Sequence, residues 1–357
     1  MYEKVSKEKF NKLKDKEDIL VLAFESSCDD TSVAVVKNGR EALSCVIASQ
    51  IDIHAKFGGV VPEVASRNHL LCISNITNEA LAKANVTLAD IDAIAVTYGA
   101  GLVGSLMVSV NFAKSLAFAL ELPLIKVNHI RAHISANYLS HHDLKPPYLA
   151  LIVSGGHTAL VKVDDYTKHT LLGTTHDDAV GEAYDKVAKV LGLGYPGGPV
   201  VDKLAKQGEN NIQFIKPNYN KKDFNFSYSG LKTSVINYLH KANQKGENVP
   251  IEDVCASFQT QAIEELVVKT INASKKYKLD NIVLAGGVAC NSHLRAEMQK
   301  ACDKEKKKLY FPTPIECTDN AGMVGAEAYH LMKAGENLSD LSLVPDCTIN
   351  LKYTNKK

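Results

Sequence analysis

The sequence predicts an α/β protein built from two duplicated lobes around a nucleotide cleft. Two observations carry this. An apolar run, a polar turn and a second strand occur near the amino terminus and again near the middle of the chain, and each is followed by helical and strand patterns. At 357 residues and 45% hydrophobic content, the chain is long enough for two cores rather than one.

In chain order, residues 1–18 carry six lysines and five acidic residues and no apolar stretch of the secretory kind, so they read as a solvated helical extension. The first hairpin follows: ILVLAF (19–24), the turn ESSCDDT (25–31) and SVAVV (32–36). A strand is expected at 91–96. The apolar tract 96–127 is interrupted by Gly99, Gly101, Gly104, Asn111, Lys114 and Pro123, so a strand, loop and buried helix are expected rather than an 18-residue membrane span. The second hairpin is YLALIV (148–153), SGGHT (154–158) and ALVKV (159–163), and a last strand is expected at 281–285. The implied division is a charged extension at 1–18, an amino-terminal lobe at 19–140 with 320–357 packing back on it, and a carboxy-terminal lobe at 141–319.

The 41 basic and 40 acidic residues nearly cancel, so net charge announces neither a nucleic-acid nor a membrane partner. Local runs remain as candidates for steering a polyanion: the amino-terminal lysines, Lys221 and Lys222, Lys275 and Lys276, and 304–308. The eight cysteines are dispersed without a Cys-x-x-Cys pair, which points to reduced thiols and a cytosolic location.

His129 and His133 are spaced to share one helical face. Twelve histidines give about 0.4 such pairs by chance, so the pair needs company. Asp319 in CTDN (317–320) supplies a possible third metal ligand, after a short strand and at the start of a small-residue helix. Ligation by histidine and carboxylate admits zinc, iron and other divalent ions.

Glycine turns supply the phosphate-facing surfaces. Ser154, Gly155 and Gly156 can present backbone N–H groups, and Gly286 and Gly287 followed by Asn291 form a strand–glycine–helix arrangement suited to a nucleoside. Asn291 can bond the base or simply cap its helix. Asp185 and Asp202 flank an irregular loop rich in glycine and proline, and paired acceptors suit a ribose diol.

Eight distinctive segments follow one another in order: ESSCDDT (25–31), NHIRAH (128–133), VSGGHT (153–158), GEAYDK (181–186), YPGG (195–198), SYSGLKT (227–233), GGVACN (286–291) and CTDN (317–320). With them, from Val21 to Glu327, the chain resembles the tRNA N6-adenosine threonylcarbamoyltransferase family. The resemblance implies a fold of the actin, Hsp70 and sugar-kinase type. It implies transfer of threonylcarbamoyl from threonylcarbamoyl-adenylate to N6 of the adenosine 3′ of the anticodon, in tRNAs reading codons that begin with A. Metal ligands His129, His133 and Asp319 are implied, with Fe2+ favoured. Donor contacts are implied at Ile152, Val153, Ser154, Gly155, Gly156, Asp185, Gly198, Asp202 and Asn291. Ile152, where archaeal and eukaryotic relatives tend to have tyrosine, favours the bacterial branch. That branch implies as partners a degenerate paralogue of the same fold and a small P-loop ATPase, with a separate enzyme making the adenylate. Arg131 and Ala132 replace the commoner Glu-Gly between the histidines. For the chemistry, Asp29 is a candidate base and His157 a candidate for placing the acyl group.

Three other readings share these features. A metallopeptidase would need a glutamate beside the first histidine, where Ile130 stands. A small-molecule kinase would not need the metal trio. A non-catalytic scaffold subunit would not need to keep every glycine loop.

Overall fold

Along the chain the secondary structure runs α1 (Tyr2–Leu13), β1 (Leu20–Glu25), β2 (Asp30–Lys37), β3 (Glu41–Ser49), α2 (Ile51–Ala55), α3 (Pro62–Ala84), β4 (Ala93–Gly99), α4 (Val103–Leu120), β5 (Leu124–Asn128), α5 (His129–Ser135) and α6 (Asn137–Ser140). It continues with β6 (Tyr148–Val153), β7 (Thr158–Asp165), β8 (Lys168–Thr174), α7 (Val180–Val190), α8 (Gly197–Ala205), α9 (Ser229–Lys245), α10 (Ile251–Tyr277), β9 (Asn281–Ala285), α11 (Ser292–Lys304), β10 (Lys308–Tyr310), α12 (Pro314–Cys317), α13 (Ala321–Ala334) and β11 (Leu338–Ser339). These elements come from a computed structural model that describes residues 2–214 and 223–349. Lys221 and Lys222 lie outside the described residues.

The chain divides into two compact units. One comprises Met1–Pro146, Asp165–His169 and Pro312–Lys357; the other comprises Pro147–Asp164 and Thr170–Phe311. The first unit holds a six-stranded sheet of order β11-β5-β4-β1-β2-β3, and the second sheet has the order β10-β9-β6-β7-β8. The duplication is therefore topological. In each case an antiparallel hairpin (β1–β2, β6–β7) is flanked by a parallel neighbour (β4, β9) of its first strand.

Alternation along the strands divides the first unit's core between the two faces of its sheet. Val21, Ala23, Ala34, Val36, Ala95 and Val127 pack with α13 residues such as Val324 and Leu331. Leu22, Phe24, Val33, Val35, Ile94 and Val96 pack with Ile73 and Ile76 of α3 and Val110 and Ala113 of α4. A sheet covered on both faces needs apolar residues at every strand position, and this is why 19–24 is a continuous run.

Two expectations are corrected. The extension is not a solvated helix: α1 buries Tyr2, Ser6, Phe10 and Leu13, and Tyr2 Oη donates to the Leu122 carbonyl at 2.9 Å. Its many charges lie on the other face, and composition alone hides the stripe. Nor do interruptions prevent an 18-residue apolar helix. α4 is long and apolar enough to cross a membrane by length and composition, and 33% of it is buried. Gly99, Gly101 and Pro123 fall outside it, and Gly104, Asn111 and Lys114 are accommodated within it. None of the eight cysteines, all among the described residues, forms a disulfide.

Candidate metal centre and nucleotide-binding loops

In the first unit three parallel neighbours, β1, β4 and β5, end side by side and deliver polar groups from their carboxyl ends, where open α/β sheets bind ligands. β1 ends at Glu25, β4 contributes Thr97, and β5 runs directly into α5. Asn128 caps α5, its Oδ1 accepting from the N–H groups of Ile130 (2.9 Å) and Arg131 (3.2 Å). The cap fixes where the helix starts, and so where His129 and His133 project.

Asp319 is held from the opposite side of the sequence. Asn320 caps α13 by accepting from the Met323 N–H, and its amide donates to the carbonyls of Thr318 and Glu316. The Asp319 carboxylate then stands 3.2 Å from His133 Nε2 and 3.6 Å from His129 Nε2. One ligand atom from each of the three residues lies within 4.8 Å of the others. The structure thus brings the three expected ligands together. The turn of α12 sits between the short strand β10 and Asp319, a detail the expectation lacked.

The surroundings fit a cation. His129 is 7% exposed and His133 only 1%. His133 Nε2 is buried and makes no hydrogen bond, with the Asp319 carboxylate beside it at 3.2 Å, an arrangement that an ion shared between the two groups would satisfy. Glu25, fully buried, places Oε2 3.2 Å from His129 Nδ1, leaving Nε2 to face Asp319. Burial disfavours charge on His129, but the Asp319 and Glu25 carboxylates outweigh it and raise the pKa to about 9. Burial likewise opposes charge on Glu25, and His129 holds its carboxyl below the usual range. Glu25 is a neighbour of the trio that sequence reasoning passed over. Its only signal was a carboxylate closing an otherwise apolar strand.

At the tip of the same hairpin, Asp29 is half-buried and its carbonyl accepts from Gln50 N–H. Asp30 beside it is raised to about 7 by burial, with Asp319, Asp29 and Glu25 adding to the shift. Ile130 is buried in the core, so no carboxylate occupies the position that a peptidase base would need.

In the second unit, Ile152 and Val153 are buried at the end of β6 and Ser154 begins a tight turn, its N–H donating to the His157 carbonyl at 2.8 Å while its hydroxyl accepts from the His157 N–H at 3.1 Å. Gly155 and Gly156 are exposed with open space around them. Two other glycines hold this turn closely. A Cβ on Gly181, in the first turn of α7, would stand 2.6 Å from the Ser154 carbonyl oxygen, and one on Gly286, at φ +90°, would stand 2.5 Å from that of Val153. The turn, the amino terminus of α7 and the end of β9 therefore converge on Ser154.

The remaining expected residues are already engaged with the protein. Asp185 accepts from the Gly197 N–H at 2.8 Å and so positions the start of α8, where Gly198 faces open space. Asp202 accepts from the Ser292 hydroxyl at 2.9 Å, tying α8 to α11. Asn291 caps α11 through the Leu294 N–H and donates its amide to Gln259 Oε1 at 2.8 Å. The lysine runs are partly committed too. Lys16 pairs with Asp92, Lys275 with Glu305, and Lys307 donates to the Leu279 carbonyl.

Comparison with known proteins places the chain in a family. The profile of the tRNA N6-adenosine threonylcarbamoyltransferase family matches residues 41–326. Proteins of that name are similar throughout. The one from Clostridium novyi (strain NT) is 58% identical over 314 residues, 87% of this chain and 92% of the relative. The one from Clostridium perfringens (strain SM101 / Type A) is 55% identical over 325 residues, 91% of this chain and 96% of the relative.

Among solved structures, component A of the Acidaminococcus fermentans (R)-2-hydroxyglutaryl-CoA dehydratase aligns with TM-score 0.53 at 13% identity, covering 88% of this chain and 99% of its own. T. kodakarensis HypF aligns with TM-score 0.61 at 14% identity, covering 91% and 49%. These distant likenesses concern the fold, which is of the actin, Hsp70 and sugar-kinase type. The chain belongs to the tRNA N6-adenosine threonylcarbamoyltransferase family, enzymes of tRNA modification.

Proposed function

We propose that this enzyme transfers threonylcarbamoyl from threonylcarbamoyl-adenylate to N6 of the adenosine 3′ of the anticodon, in tRNAs reading codons that begin with A, with a divalent ion held by His129, His133 and Asp319. The observation that carries this reading is the trio itself, its two histidines buried and its aspartate half-buried, backed by Glu25 on the outer nitrogen of His129. Iron or zinc suits the ligand set, and the family resemblance favours Fe2+.

The donor is a mixed carbamic–phosphoric anhydride that already carries a good leaving group, so the protein's tasks are orientation and charge stabilisation, and no covalent enzyme intermediate is needed. The backbone N–H groups of Gly155 and Gly156, in the turn that Ser154 opens close to the start of the eleven-residue α7, are suited to the donor phosphate. Ile152, Val153 and Gly198 would border the nucleoside, Asn291 would meet its base, and Asp185 and Asp202 would use their remaining lone pairs on ribose hydroxyls. When bound, the ion would polarise donor oxygens as a Lewis acid. Asp29 is the candidate to take the N6 proton, with Asp30, raised to about 7, beside it, and His157 would place the acyl group.

The partners proposed are tRNA, a degenerate paralogue of the same fold and a small P-loop ATPase, with the protein in the cytosol and a separate enzyme making the adenylate. A paralogue is supported by exposed leucines on α3 (Leu70 69%, Leu71 77%) and by exposed Val103 and Met107 on α4. The two helices meet at their start, where a Cβ on Gly104 would stand 3.2 Å from Ser66 Cβ. The units 1–146 with 165–169 and 312–357, and 147–164 with 170–311, are proposed as the metal-holding and nucleotide-holding lobes.

The test is incubation with synthetic threonylcarbamoyl-adenylate and unmodified tRNA, with and without these partners, read by nucleoside mass spectrometry. Threonylcarbamoyladenosine should form with wild type and not with the His129→Ala/His133→Ala variant. Full activity of a metal-free double variant would overturn the metal assignment.

A further inference from the structure

Between the two metal-site histidines stands a buried arginine. Arg131 is 4% exposed, and its Nε lies 2.8 Å from Oε1 of Glu327, which is wholly buried. The other carboxylate oxygen of Glu327 accepts from the Ser135 hydroxyl at 2.7 Å, and Arg131 Nη2 donates to the Thr167 carbonyl at 3.2 Å.

Helical geometry gives this arrangement a purpose. Residues 129 and 133 are one turn apart, and so are 131 and 135, but the two pairs are offset by two positions, or about 200° of rotation. All seven residues of α5 are buried. One face therefore presents His129 and His133 to Asp319, and the opposite face presents Arg131 and Ser135 to Glu327. Asp319 and Glu327 belong to one stretch of chain: Asp319 precedes the α13 cap, and Glu327 lies in the second turn of α13. The segment that supplies the third ligand thus also holds the helix carrying the first two.

We infer that the Arg131–Glu327–Ser135 contact is a positioning latch that fixes the rotation of α5 about its axis, so that both imidazoles face Asp319 before any ion arrives. The inference rests on the metal assignment of the trio. A short helix held only by apolar packing tolerates small rotations, whereas a buried ion pair flanked by the hydrogen bonds of Ser135 to Glu327 and of Arg131 Nη2 to the Thr167 carbonyl resists them. Supporting contacts of this kind typically set metal affinity within a factor of 10 to 100.

The experiment measures affinity for Zn2+ and Fe2+, added singly under anaerobic conditions, alongside the thermal midpoint of each metal-free protein. Arg131→Met and Glu327→Gln are expected to bind roughly 10- to 100-fold more weakly, and Ser135→Ala, the mildest change, several-fold more weakly. The double variant Arg131→Met/Glu327→Leu removes the charges together, and is expected to regain thermal stability while its metal affinity stays low. Wild-type affinity in a folded Arg131→Met protein, or recovery of affinity together with stability in the double variant, would overturn the latch. His133→Ala separates the two ideas. If wild type binds neither ion any better than His133→Ala, the metal assignment fails and the latch with it. If wild type binds, His133→Ala does not and the latch variants match wild type, the latch alone fails.

Discussion

Glu25 Oε2 accepts from Thr97 Oγ1 at 2.6 Å and stands 3.2 Å from His129 Nδ1, so a buried carboxylate on one strand is aimed by a hydroxyl on the next at the outer nitrogen of a histidine from the trio that could hold an ion. Such a carboxylate fixes the imidazole tautomer and raises the basicity of the nitrogen that faces the ion. Glu25→Gln keeps the shape and removes the charge. It should lower metal affinity by about 10- to 100-fold with the fold retained, as read by calorimetric titration of the metal-free protein. Unchanged affinity would reduce Glu25 to a structural partner of Thr97.

Asn291 has two separable duties. Its Oδ1 caps α11, and its Nδ2 binds Gln259. Asn291→Ala should cost about 1 kcal/mol of stability through the lost cap and should also weaken nucleotide binding. Asn291→Asp keeps a capping oxygen but loses the amide donor, so stability should be near wild type while affinity for AMP, measured by calorimetry, falls as it does in the alanine variant. If the aspartate variant binds AMP normally, Asn291 is a cap and no more.

The parts of the site that were legible in the sequence were local ones. His129 and His133 share one helix, and Ser154, Gly155 and Gly156 share one turn, so spacing and residue type marked them as candidates, although the pair needed Asp319 for company. Both hairpins could be read because burial on two faces leaves an unbroken apolar run. Glu25 was not legible as a site residue, because its role depends on β4 and β5 ending beside β1. Asp185 and Asp202 were legible as acceptors, but not as the groups that position α8 and Ser292, since those contacts lie 12 and 90 residues away. The exposed face of α4 was hidden by averaging: its small buried residues, Ser105, Ser109, Ala113 and Ala117, look no more core-like than Val103 or Met107.

Stability should fall in mild acid for a reason located at His330. Burial, reinforced by the charge of Arg40, lowers its pKa to about 3, and its Nε2 is buried without a hydrogen-bond partner. In the unfolded chain the same imidazole titrates near 6.5. Between those values the unfolded state holds a proton that the folded state does not, so stability is lost as pH falls below about 6.5, by roughly 1.4 kcal/mol per unit. His169, also lowered to about 3 by burial and Arg131, adds a loss of the same sign. His330→Phe keeps a ring against Tyr166, which stacks on His330 at 4.1 Å, and removes one titrating group. Denaturant melts at pH 6 and pH 5 should show wild type losing about 1.2 kcal/mol more than the variant; parallel losses would contradict the assignment.

α1 offers the clearest test of packing against composition. Phe10 is 4% exposed and joins Leu13 in the core under α13, where Lys333 Nζ donates to the carbonyls of Lys14 and Lys16 just past the helix end. A solvated extension could lose Phe10 at no cost, but a docked helix could not. Phe10→Ala should destabilise the protein by about 3–5 kcal/mol, the usual penalty for emptying a buried aromatic site. Lys7→Ala, on the exposed face of the same helix, should stay within about 0.5 kcal/mol of wild type. Urea melts of the two variants separate the cases, because helix propensity acts in both and burial in only one. Equal, small effects would mean that α1 comes away before the core unfolds, and that its buried stripe contributes nothing to the cooperative unit.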